Sequence, residues 1–406
     1  MITIKNAKTL KGTTETITLA SYSEHTIDAK GHLTVLPALI DGHVHFRTPG
    51  AEHKENWITG AQAAMAGGVT TVIDMPNNHP PCVDAASLKA KKQLIDEQLA
   101  SVGIPLHYRL FLGADKDHIN EIGRLRNQIA GVKIYMGSST GGLIMNDEQD
   151  LDRIFRLCAQ ENVLIAVHAE DEGILKKNEA LYSGQMDPAT HSKIRDRFSA
   201  IQATTQALQL AEKYSTELFI LHVSTKEEVE LIRKAKKKGI LVYAEATPHH
   251  LFLNEQDYAK WGNKVVINPP IRTREDQEAL WKGIHDRTID TIGSDHAPHT
   301  LEEKARSYGQ APSGVPGIET LLPLLLNASS EGKLTLEHIV KLTRINPEQI
   351  FNLEHNTDVV LVDLEKKKEV NDTNLKTKCG WSPFASLTLK GWPEYTILRG
   401  KIFQIE

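Results

Sequence analysis

The chain has 406 residues, 40% hydrophobic and 24% charged, which excludes a disordered chain and leaves ample length for one large domain and a small one. Its 47 basic and 52 acidic residues give a formal charge of -5, with no net field to hold nucleic acid. Cys82, Cys158 and Cys379 form no CxxC pair and fit a reducing cytoplasm, the opening MITIKNAKTLKG is no signal peptide, and no apolar run is long enough to span a membrane.

Residues 1 to about 38 are short alternating segments, ITIKNA, TETITLA and HTIDA, which predict strands. A different pattern then begins. Eight apolar, β-branched runs each stop at polar residues: LPALIDGHVH, GVTTVIDMPN, HYRLFLGA, GVKIYMGSS, VLIAVHAED, LFILHVST, GILVYAEATPHH and DTIGSDHAPH. Amphipathic stretches such as Leu88 to Leu99 and Ile201 to Tyr214 lie between most of them. Eight strand and helix units specify an α/β fold, a (β/α)8 TIM-type barrel with its chemistry at the C-terminal strand ends. VVINPP is a ninth strand-like run, placed in the loop after the seventh strand. The final segments VVLVDL, TILRG and KIFQIE alternate like the first ones. The expectation is a barrel over residues 39–354 and a small β-sandwich domain built by both chain ends, 1–38 and 355–406, packed on it without a linker.

Asp41, His43 and His45 end the first strand as DGHVH, where a period of two points both imidazoles to one side. They can chelate one metal, although a lone His-x-His is more often a polar strand end. Lys133, His168, His222 and Asp295 stand at four other strand ends and complete a set of nitrogen and oxygen donors suited to zinc. Lys133 is the odd member, because an ammonium repels metals. Carbamylation by carbon dioxide would make it an anion able to bridge two cations, while spacing alone leaves a substrate-facing or salt-bridged lysine equally open.

The motifs HVHFRTPG with HKENW, DMPNNHPP, GVKIYMG, HAED, LHVST, EATPHHLFL, INPPIR, SDHAPHTLEEK and GVPGIETLLPLLL follow in one order. In these the chain resembles the amidohydrolase superfamily, and in detail the dihydroorotase family, over essentially its whole length. The resemblance implies two zinc ions per chain. His43, His45 and Asp295 would bind one, His168 and His222 the other, and carboxylated Lys133 would bridge them. A zinc-bound hydroxide would attack the ring amide, with Asp295 as general base and then acid. The reaction implied is reversible cyclisation of N-carbamoyl-L-aspartate to L-dihydroorotate in pyrimidine biosynthesis.

Arg47, two residues past His45 and expected on the same strand face, offers a planar fork to the substrate carboxylate. His45, Asn77, Asn268 and His299 match the family's further substrate contacts, with Asn268 reading the ring's N–H and C=O edge through both ends of its amide. Backbone groups near Ser313 and Gly314 would touch the ring. His249 and His250 are read as packing or orienting residues, Glu170 and Asp171 as loop carboxylates of which Glu170 could orient the site, Lys234 to Lys238 as a solvated helix end, and Cys82 as part of a polar loop beside the site.

A small-molecule substrate, a homodimer, a cytoplasmic location and association with aspartate transcarbamoylase accompany that resemblance. The alternatives are allantoinase or another cyclic-ureide amidohydrolase, and a non-catalytic scaffold for the transcarbamoylase. Asn77, Asn268, His299 and PHHLFL favour dihydroorotase over the first. The intact ligand set weighs against the second.

Overall fold

The computed structural model describes residues 1–139 and 142–405. All eight predicted runs are strands: β1 (Leu39–Val44), β2 (Val69–Asp74), β3 (His107–Gly113), β4 (Gly131–Tyr135), β5 (Ile165–His168), β6 (Leu218–Ile220), β7 (Val242–Ala246) and β8 (Thr291–Ile292). They pair in sequence order, each parallel to the next. β8 is too short to close the barrel alone. Closure comes just beyond it, where Val44 bridges His296 and the His45 N–H donates to the His296 carbonyl at 2.8 Å.

Helices pack outside, as the crossover rule requires. Ala85–Val102 and Arg197–Tyr214 are the two segments anticipated from periodicity, each extended by about a turn. Their starts are set by Asp84 and Asp196, whose carboxylates accept from the Ser87 and Ser199 N–H groups. The apolar faces of helices and strands share one large core that includes Val72, Leu112, Val132, Ile220 and Ile292. Cys82 lies in the loop between Asp74 and Ala85, as expected, but its side chain is buried in this core at 1% exposure.

Both chain ends build a second, curled sheet, with seven strands among the described residues. Ile2–Lys8, Thr14–Leu19, His25–Asp28 and Leu33–Pro37 come from the N-terminal segment. Val359–Glu369, Thr388–Leu398 and Lys401–Gln404 come from the C-terminal one. The two groups join where Leu33–Pro37 runs antiparallel to Val359–Glu369, with Val35 opposite Leu361. VVINPP lies in the loop after β7, as expected. Its Val265, Val266 and Ile267 are apolar because they pack with Trp381 and Phe384 in a separate cluster, not because they form a strand. No helix among the described residues is long and apolar enough to cross a membrane.

Candidate active site

The C-terminal ends of the strands surround a cavity of ≈ 380 Å³ empty volume. His43, His45, Arg47, Asn77, Lys133 and Asp295 line it, and His168, His222, Asn268, Ser313 and Gly314 complete the expected set. His299, the one expected substrate contact outside this lining, is 0% exposed and lies against Arg47 Nη2 at 3.2 Å and the Ser313 carbonyl at 3.0 Å. A larger cleft of ≈ 1880 Å³ opens around Arg109 and Arg399, near the N-terminal ends of β1 to β3, and holds none of these residues.

Backbone strain marks three site positions. Arg47, His222 and Asp295 have φ of 62°, 36° and 44°, in the left-handed region that side-chain-bearing residues seldom adopt. Each turns the chain sharply at a strand end. Arg47 therefore lies past the end of β1 and not on the strand's face, contrary to expectation, and its Nε is fixed by the Pro298 carbonyl at 3.1 Å.

His43 and His45 do share one side of β1. The His43 Nδ1–H donates to Glu245 Oε1 at 2.8 Å, and the His45 Nδ1–H donates to Asn77 Oδ1 at 2.7 Å. Those bonds turn both Nε2 lone pairs inward, where they lie 3.3 and 3.2 Å from Asp295 Oδ1. Three potential metal-ligand atoms thus converge on one point. For metal–ligand bonds of 2.0–2.1 Å, a tetrahedral site separates its ligands by about 3.3 Å, so this trio fits a zinc ion.

A second pair stands nearby. His168 Nε2–H donates to Glu170 Oε2 at 2.8 Å, which leaves its Nδ1 facing His222 Nε2 at 3.1 Å. Glu170 is held in turn by Arg195. Burial keeps His45 at about 4 and holds His168 and His222 below the ordinary imidazole value, so these rings are neutral, as metal ligands must be. His43 is the exception, raised because Asp295 and Glu245 outweigh its burial.

Lys133 has 1% exposure and an Nζ with no hydrogen-bond partner, lying 4.6 Å from the Tyr135 ring centre. Burial lowers its pKa to about 7 despite Asp295 and Glu245. A buried ammonium without an acceptor is costly, and among the described residues no salt-bridge partner reaches it. The orphaned amine is the feature that a bridging carbamate would account for.

Of the substrate contacts, Asn268 is partly engaged within the protein. Its Oδ1 accepts from His191 Nε2 at 2.9 Å, so one of the oxygen's two lone pairs is taken, and a ligand would meet the NH₂ and the remaining lone pair. The Ser313 carbonyl accepts from His299 Nε2 at 3.0 Å, and the Gly314 carbonyl from the buried Lys304 at 3.1 Å. Gly314, at φ 134°, sits where a Cβ would meet His299 Cδ2 at 3.1 Å. His250 is a packing residue, bonded to Thr247 and the Pro269 carbonyl, as expected. Asp171 caps the helix Glu172–Leu181.

Sequence reading missed Glu245, Tyr135, His191 and Lys54. Glu245 carried a signal, a carboxylate inside the otherwise apolar strand VYAEA, buried to 0% exposure.

A family model described as "Amidohydrolase family" matches residues 34–403. The chain belongs to the amidohydrolase family. It is a hydrolase of cyclic amides. It is 38% identical over 403 residues to "Dihydroorotase" of Methanosarcina mazei, covering 95% of this chain and 87% of that one. It is 34% identical over 401 residues to "Dihydroorotase" of Bacillus licheniformis, covering 94% and 90%. "Multifunctional protein CAD" of Squalus acanthias is 38% identical over 374 residues, which are 91% of this chain and 15% of that protein. Among solved structures, "L-Hydantoinase (Dihydropyrimidinase) from Arthrobacter aurescens" matches with a TM-score of 0.92 at 27% identity, covering 100% of this chain and 96% of that one.

Proposed function

We propose that this amidohydrolase is a dihydroorotase, interconverting N-carbamoyl-L-aspartate with L-dihydroorotate and water in pyrimidine biosynthesis. The observation that carries the reading is the cavity itself, where Asp295 faces His43 and His45 and the guanidinium of Arg47 lines the same small space. A cyclic amide bearing a carboxylate uses both features. Relatives that share most of this chain's length and carry the name dihydroorotase support the same substrate class.

In this reading His43, His45 and Asp295 would hold one zinc ion, His168 and His222 would hold a second, and Lys133 as a carbamate would supply a further anionic ligand. When bound the ions supply Lewis acidity and lower the pKa of water toward neutrality. The residues do the rest. In hydrolysis, Asp295 takes the proton of the attacking water and returns it to the ring nitrogen as the C–N bond breaks. In ring closure it takes the ureido nitrogen's proton and gives it to an oxygen of the side-chain carboxylate; that oxygen leaves as water once it has taken a second proton from solvent. Arg47 holds the remaining carboxylate, and the Asn268 NH₂ donates to a ring oxygen.

The test is ultraviolet-monitored hydrolysis of L-dihydroorotate, with zinc content measured on the same sample and allantoin and hydantoin run alongside. Turnover with about two metals per chain is expected. Faster hydrolysis of allantoin or hydantoin would replace the proposed substrate, and full metal loading with no ureide turned over would favour a scaffold. A cytoplasmic homodimer that contacts aspartate transcarbamoylase completes the proposal, supported by the match to part of a multifunctional protein. Light scattering of the chain alone and mixed with the transcarbamoylase checks both associations.

A further inference from the structure

Lys54, from the HKENW segment, has no place in the chemistry above, yet its Nζ lies 3.0 Å from His299 Nδ1. A lysine ammonium only donates, so Nδ1 has to accept. A neutral imidazole carries one proton, which is therefore on Nε2. There it donates to the Ser313 carbonyl at 3.0 Å. In the opposite tautomer, Nδ1–H would point at the lysine's own N–H, with Glu303 Oε2 too far away at 3.7 Å to take the proton. The Nε2 lone pair would then oppose that of Ser313. One contact would remain, from Arg47 Nη2 at 3.2 Å, against two in the first arrangement, whose single adverse contact sets that Nη2–H beside the ring Nε2–H.

The doubly protonated ring is disfavoured as well. His299 is 0% exposed, and the charged groups that face or act on it are three cations, Arg47, Lys54 and Lys304, and one carboxylate, Glu303. Glu303 is already engaged with Lys54 at 3.2 Å, His53 at 3.2 Å and the Thr300 N–H at 3.1 Å.

The consequence falls on Arg47. Its Nε is occupied by the Pro298 carbonyl, and its Nη2 approaches His299 Nε2 but meets an N–H there instead of a lone pair. The ring therefore cannot consume the guanidinium edge. We propose that Lys54 is a positioning residue which, by holding His299 as the Nε2–H tautomer, keeps the Arg47 edge available for the substrate's carboxylate. The substrate in this statement comes from the dihydroorotase reading; the tautomer does not.

The test uses the full-length metal-loaded enzyme and its Lys54→Met and Lys54→Arg variants, with KM and kcat for L-dihydroorotate and for 5,6-dihydrouracil, which has the ring without the carboxylate. Losing one charge-assisted contact predicts that Lys54→Met raises KM for dihydroorotate by about tenfold or more, with kcat within about threefold. KM for dihydrouracil is expected to stay put, and Lys54→Arg to restore the wild-type value. Equal damage with both substrates, or unchanged KM for dihydroorotate, overturns the proposal. Nitrogen-15 spectra of histidine-labelled protein, assigned by difference from His299→Gln, read the tautomer directly. A protonated Nδ1 on His299 overturns the proposal even if the enzyme turns over neither substrate, and a protonated Nε2 supports it whether or not the substrate assignment survives.

Discussion

His43 on β1 and Glu245 on β7 are joined by a 2.8 Å hydrogen bond although β8 runs between their strands. Gly293, just past β8, makes this reach feasible, since a Cβ there would overlap Glu245 Oε2 and lie 3.2 Å from His43 Cβ. The same Oε1 also accepts the His222 backbone N–H at 3.2 Å, so one carboxylate holds the His43 ring and the backbone at His222, a member of the second histidine pair. Glu245→Gln is therefore expected to weaken metal binding by about 10- to 100-fold. Chelator competition measures this; unchanged affinity would make Glu245 a packing residue.

Asp295→Asn should leave His43 and His45 in place while removing the proton carrier. Turnover is expected to fall by about 10² to 10⁴. Steady-state rates together with metal content separate this from loss of the ions, and near wild-type turnover would take the acid and base role away from Asp295.

Lys133→Met should move activity and stability in different directions. In the chelator-treated protein the Nζ has no partner among the described residues to lose, and burial already disfavours its charge, so the thermal midpoint of the metal-free form is expected to hold or rise. Activity is expected to vanish. Scanning calorimetry after chelation and turnover before it, on one preparation, test both halves, and retained activity would exclude a bridging role.

Lys91 behaves oppositely, because this buried lysine is fully partnered. It lies 2.5 Å from Asp74 Oδ2, 2.8 Å from the Met75 carbonyl and 2.7 Å from Asn78 Oδ1. Asp74 also accepts the Phe46 N–H, and Asn78 donates to the Thr48 carbonyl, so the cluster ties down the loops carrying Arg47 and Asn77. Lys91→Met strands a carboxylate at 0% exposure and should cost about 3 to 5 kcal/mol. The shift of the urea midpoint reads it; a shift below about 1 kcal/mol would show that Asp74 finds another partner.

Asp276 predicts how acid acts on the fold. Burial alone would raise its carboxyl, but Thr273, the Lys226 N–H and Arg197 outweigh that and hold it below its ordinary 3.8. A depressed folded-state pKa gives stability that is complete above the unfolded value and lost as pH falls through the folded one. Wild-type urea midpoints should fall between pH 5 and pH 2, and Asp276→Asn should flatten part of that slope. Parallel slopes would mean that other carboxylates carry it.

Eight strands were legible because parallel barrel strands are buried on both faces and read as unbroken apolar runs. The metal-ligand candidates were legible for a related reason: polar residues ending such runs lie at the C-terminal rim. Partnerships formed across the barrel were not. Lys54 and His299 are brought together by closure of the strand ends, as are Glu245 and His43, and no local pattern announces either pair. VVINPP shows the limit of periodicity, since burial against Trp381 and Phe384 demands the same residue types as a strand. The tautomers of His43 and His45 likewise depend on Glu245 and Asn77, which lie on other segments.

The pairing of Val35 with Leu361 has a consequence for biosynthesis. The first strands to leave a ribosome cannot complete their sheet until the segment around Leu361 has been made, which at 5 to 20 residues per second means a wait of roughly twenty seconds to a minute. During that time the edge at Leu33–Pro37 is an open template for strands of other nascent chains. A nonsense product ending before Val359 would contain every candidate metal ligand named above and still carry that unprotected edge, so the same barrel would be more prone to aggregate when its last strands are missing.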